Sequence, residues 1–164
     1  MLSINQIENP KQIAAAQQLM RDYLAWFFAL VPGSENAPTF QGWEAEITSL
    51  PGIYAPPMGR LLLATFDEQP AGCVALKQVT DQIGELKRMY VSHNFRGKRI
   101  GWHLGKAFVE EARTIGYKRV VLDSHVSMTH AHKIYEELGF KRVTAPPNFP
   151  QELIPVVVFM EFDL

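Results

Sequence analysis

The run from Glu85 to Trp102, ELKRMYVSHNFRGKRIGW, constrains this chain more than any other stretch. Its first seven residues read as a strand and the next few as a polar turn. Arg96-Gly97-Lys98-Arg99-Ile100-Gly101 then forms a basic, glycine-punctuated loop that opens an amphipathic helix. A loop of this kind leaves the first backbone N–H groups of the helix without acceptors, at the positive end of the helix dipole. Together those properties make a phosphate site.

The flanking sequence supplies the frame. Ser3 to Glu8 is weakly strand-like, and Asn9-Pro10 opens a helix with an N-cap and a proline in its first turn. Ile13, Ala16, Leu19, Met20, Tyr23, Leu24 and Phe27 share one face of it, and Pro32-Gly33 ends it. Gln41 to Leu50 reads as a second, short helix, and the proline- and glycine-rich Pro51 to Gly59 as a shaped loop. Arg60 to Asp67 and Ala71 to Val79 make an antiparallel hairpin, followed by the strand Glu85 to Val91. The helix from Ile100 closes at Gly116, and Arg119 to Asp123 is a short buried strand. Met128 to Leu138 is a further helix capped by Gly139, and strands at Arg142 to Thr144 and Val156 to Phe162 finish the chain. This order predicts an α/β (α+β) protein, a mixed central sheet with helices on both faces, built as one domain over residues 1–164.

Composition narrows the partners. A net charge of −1 argues against a general polyanion binder, so the basic run Lys87, Arg88, Arg96, Lys98 and Arg99 reads as a site for one ligand's phosphates rather than for nucleic acid. The single cysteine, Cys73, lies in an apolar run and reads as a buried thiol. The N-terminus lacks a secretion signal, and no apolar run approaches the ~20 residues of a membrane span. A cytoplasmic, soluble protein is expected. His130 and His132 are two apart on a helix and diverge, so no metal site is expected. Asp123, Ser124 and His125 are consecutive and cannot converge as a nucleophilic triad.

Three patterns in order carry a resemblance. The loop R-G-K-R-I-G at 96–101 is similar to [RQ]-x-x-G-x-[GA], with Arg99 at the usual inner glycine. M-x-x-A-x-x-I-Y-E-E-L-G-F, Met128 to Phe140, is similar to N-x-x-A-x-x-L-Y-x-x-x-G-F, with Met128 where asparagine is commoner. The strand Glu85 to Val91 precedes the loop at the usual distance. Together they resemble the GNAT (GCN5-related) N-acetyltransferases. A positive φ at Arg99 would be strained, and arginine is tolerable there if the backbone is helical.

The resemblance implies the GNAT fold with a splayed fourth and fifth strand pair, acetyl-CoA as cosubstrate, and acetyl transfer to a primary amine by direct attack on the thioester. It implies that Met89, Tyr90 and Val91 pair with the pantetheine arm, an N–H at Met89 holding the thioester oxygen. The pyrophosphate would lie on Arg96, Gly97, Lys98, Arg99, Ile100, Gly101 and Trp102. Tyr135 takes the place of the proton donor to the thiolate; read without the resemblance it is a core aromatic. Glu85 resembles the base of the histone-acetylating branch, or is a solvated charge at the start of a strand. Strand alternation predicts Glu85, Lys87, Met89 and Val91 on one face, with Leu86, Arg88 and Tyr90 on the other. The acceptor is a small-molecule or peptide amine, and the resemblance leaves room for a homodimer. The competing reading is a non-catalytic acyl-CoA-binding or sensing domain.

Overall fold

The computed structural model describes residues 1–164. A seven-stranded sheet of order β1-β2-β3-β4-β5-β7-β6 runs through the molecule. Its strands are β1 (Leu2–Gln6), β2 (Arg60–Phe66), β3 (Gln69–Gln78), β4 (Ile83–Val91), β5 (Arg119–His125), β6 (Lys141–Val143) and β7 (Val157–Asp163). Only β4 and β5 are parallel; every other neighbouring pair is antiparallel. The helices are α1 (Pro10–Leu30), α2 (Trp43–Thr48), α3 (Ile100–Ile115) and α4 (Thr129–Leu138).

Local chemistry sets the helix ends. The Asn9 side chain accepts from the Gln12 N–H while the Gln12 side chain accepts from the Asn9 N–H, a reciprocal cap that starts α1 beside Pro10. Gly116 and Gly139 close α3 and α4 in the left-handed conformation. The second helix is shorter than its sequence suggests, and 3-10 turns occupy Ser34–Asn36, Pro38–Phe40 and Gly52–Tyr54 around it.

Two apolar cores lie on opposite faces of the sheet. One packs α3 and α4 on it through Ile100, Leu104, Phe108 and Tyr135, against Val74, Leu76, Leu86 and Val120. The other packs α1 and α2 through Leu19, Leu24, Phe27 and Ile47, against Leu61, Leu63, Cys73 and Tyr90. Gly105 lets α3 and α4 approach closely, because a Cβ there would come within 2.4 Å of a Leu138 methyl. Burial pushes the Cys73 thiol up to about 12, which makes it an inert core group. No helix is long and apolar enough to cross a membrane.

The pairing of β4 with β5 is brief. Ile83, Gly84 and Glu85 align with Arg119, Val120 and Val121, and there the register ends. Both strands continue, β4 to Val91 and β5 to His125. The sheet is therefore split between them along the rest of their length.

Candidate active site

The split is built from a fault in β4. Cys73 stands opposite Tyr90, but Ala75 stands opposite Lys87, so β4 carries one more residue than β3 between those points. The extra residue is a β-bulge, with Arg88 at φ +55°. The bulge corrects the alternation expected for this strand. Glu85 stays on the face of α1 and α2, but Met89 and Val91 turn to the opposite core, which Leu86 also joins. Tyr90 joins the α1 side with Arg88.

Arg88 is fixed where the strand deviates. Its guanidinium donates to both carboxylate oxygens of Glu46 on α2, at 2.8 and 3.1 Å. Both side chains are largely removed from water. The carboxylate outweighs the cost of burial and raises the guanidinium's pKa further. A charged pair of this kind, flanked by buried Tyr54, locks α2 onto the bulge.

Beyond the bulge the β5-facing edge of β4 pairs with no strand. Ser92 donates its N–H to Ala71 on β3 at 2.8 Å. Backbone groups alternate along a strand, so those of Val91 and Met89 point the other way, into the split. That edge is the place where an extended amide-bearing arm can add as a strand would.

The loop that follows is an array of donors. The N–H groups of Gly97, Lys98, Arg99, Ile100, Gly101 and Trp102 donate to no acceptor in the chain; the series resumes with His103, which donates to Arg99. Six successive free N–H groups at a helix start suit a pyrophosphate. Arg99 is left-handed, φ +58° and ψ +18°, the strained of the two backbone conformations open to it. Gly97 also has a positive φ, +81°. The Arg99 side chain lies over Trp102, 5.3 Å from the ring centre, and 3.4 Å from Glu137.

Tyr135, on α4, is 5% exposed and belongs to the core between α3, α4 and the sheet, where it packs on Phe140. Burial and the neighbouring Tyr23 both raise its phenol pKa, so it holds its proton at neutral pH. Tyr23 belongs to α1, on the other face of the sheet, and its own pKa is raised by burial and by Asp123, with Arg88 opposing. The two tyrosines thus belong to opposite layers of the sheet. The helical period places Tyr23 only on the buried face of α1; nothing in the local pattern signals its packing on Tyr90 of β4. Glu85 is half-buried on the last paired rung, opposite Lys77 and Val121. His132 is buried against β5, its Nε2 3.0 Å from the Ser124 hydroxyl, and its Nδ1 has no partner. His125 instead bonds Ser127 at 2.7 Å and lies edge-on to Phe27. No group of three or more metal-ligating side chains converges.

The sequence model of the acetyltransferase (GNAT) family matches residues 16–140. This chain belongs to that family. Among its relatives is an uncharacterized N-acetyltransferase of Schizosaccharomyces pombe, 30% identical over 165 residues, which cover 99% of this chain and 95% of that one. An N-acetylaspartate synthetase of Danio rerio is 37% identical over 102 residues, covering 61% of this chain but only 36% of the synthetase. Among solved structures, the PaiA N-acetyltransferase of Thermoplasma acidophilum in complex with coenzyme A has the same fold, with TM-score 0.78 and 17% identity over 100% of this chain and 99% of that one. An acetyltransferase of Streptococcus agalactiae gives TM-score 0.77 at 24% identity, covering 99% and 98%. The GNAT fold expected from the sequence, a mixed sheet parted at its single parallel pair, is the fold observed.

Proposed function

We propose that this acetyltransferase moves an acetyl group from acetyl-CoA to the primary amine of a small molecule or peptide, by direct attack of the amine on the thioester. The observation that carries the reading is the edge of β4 that pairs with no strand, leading into six unpartnered N–H groups. An arm of amides followed by a pyrophosphate matches both in sequence. The residues therefore fit coenzyme A, whose thioester supplies an activated acyl carbon.

The chain's own groups do the rest. The Met89 N–H, facing the split, holds the charge that gathers on the thioester oxygen. The Val91 backbone keeps the arm extended along β4, and Tyr90, whose backbone faces β3, holds the strand against the α1 core. Lys98 and Arg99 add positive charge to the N–H array that holds the pyrophosphate. Glu85 accepts the amine's proton by way of water, since it lies four residues before Met89 and on the α1 face of the sheet. Tyr135 is kept protonated by its surroundings and gives its proton to the departing thiolate. The inert, buried Cys73 suits a reducing cytoplasmic setting.

Tyr135→Phe tests the reading. With acetyl-CoA consumption followed against a panel of amines, amino acids, polyamines and peptides, the variant should lose about 10²–10⁴-fold in kcat. Its affinity for acetyl-CoA should be unchanged. A wild-type protein that binds acetyl-CoA but transfers to no amine would favour the sensing domain instead.

A further inference from the structure

Arg96 is exposed as a residue, but of the loop's cations it is the one whose guanidinium turns back over the edge of β4. Its Nε donates to the Val91 carbonyl at 3.4 Å, and its Cζ lies 4.9 Å from the centre of the Trp26 ring and 5.9 Å from that of Tyr90. It has no carboxylate partner. The loop's other cations lie elsewhere, Lys98 over Phe66 and Arg99 over Trp102. The Val91 carbonyl belongs to the edge of β4 that pairs with no strand, so the guanidinium covers the rung that the donor's arm needs. Trp26 and Tyr90 form its seat, one from α1 and one from β4.

We infer that Arg96 is a donor-specificity residue, which closes the edge of β4 in the free protein and leaves it only for a pyrophosphate. This rests on the coenzyme A site proposed above. Withdrawing the guanidinium from two aromatic rings costs binding energy. Charge-assisted hydrogen bonds to a pyrophosphate beside Gly97 more than restore it. A thioester on the same arm without a pyrophosphate displaces Arg96 with no such return. The residue thus makes the protein select coenzyme A thioesters over simple pantetheine thioesters.

The test compares acetyl-CoA with S-acetylpantetheine, binding of each to the full chain being measured by calorimetry. Arg96→Ala should weaken acetyl-CoA about tenfold or more and tighten S-acetylpantetheine about two- to fivefold. Opposite signs are the signature. Trp26→Leu, which removes part of the seat but leaves the guanidinium for the pyrophosphate, should tighten both ligands. If Arg96→Ala weakens both, or leaves S-acetylpantetheine unchanged, Arg96 does not cover the edge and the inference falls alone. If the wild-type protein binds no acetyl-CoA, the proposed site falls and takes the inference with it.

Discussion

Arg99, which stands where the loop pattern usually has glycine, is left-handed, at φ +58°. The left-handed region brings a Cβ against the following carbonyl, a penalty that glycine escapes. In return the side chain reaches Glu137, but both groups are well exposed, so the pair adds little. Arg99→Gly should therefore stabilise the fold by about 0.5–1 kcal/mol, read as a higher midpoint in urea with an unchanged slope. The sequence marked this residue as the loop's departure. It did not reveal the backbone angle, because an arginine in a basic loop is as ordinary in a helical turn as in a left-handed one. What selects the left-handed form is the join between β4 and α3, a tertiary demand. Tyr23 is a similar case: its place on the apolar face of α1 was plain, and its packing against Tyr90 of β4 was not.

Among the elements, α4 is tied to β5 by a buried imidazole. His132 is 1% exposed and bonds Ser124. Burial, helped by Arg142, lowers its pKa below the ordinary value, against an opposing pull from Glu136 and the neighbouring His125 carbonyl. His125 itself adds to the lowering. The folded state then binds fewer protons than the unfolded one near the imidazole's ordinary pKa, so stability rises with pH there. The contribution is whole above roughly pH 6.5 and is lost as pH falls towards the folded pKa. Thermal unfolding at pH 7.5 and 5.5 should show a drop in Tm that is smaller in His132→Gln. The ends of α3 and α4 were legible because Gly116 and Gly139 punctuate a clear apolar period. The hairpin of β2 and β3 was legible for a like reason. The bulge in β4 was not, since one surplus residue leaves the strand's composition unchanged and shows only against its partner's register.

At the scale of the molecule, the proposed acetyl-CoA site lies where β4 and β5 part and at the start of α3. Binding of acetyl-CoA there should stabilise the whole fold, because the site does not exist in the unfolded chain. At a concentration a hundredfold above Kd, the gain is about 2.7 kcal/mol. For a chain of this length that corresponds to a rise in Tm of roughly 5–10 °C. A melting curve with and without acetyl-CoA measures it, and ATP at the same concentration should give a smaller shift.

The three-rung pairing of β4 with β5 has a mechanical consequence. It joins two plates, β1 to β4 and β5 to β7, by a weld much shorter than either strand. Compliance gathers at that weld, while the antiparallel ladders on both sides stay stiff. A chain loaded across the sheet would yield there first, and a molecule lodged in the slot would act as a shim that carries part of the load.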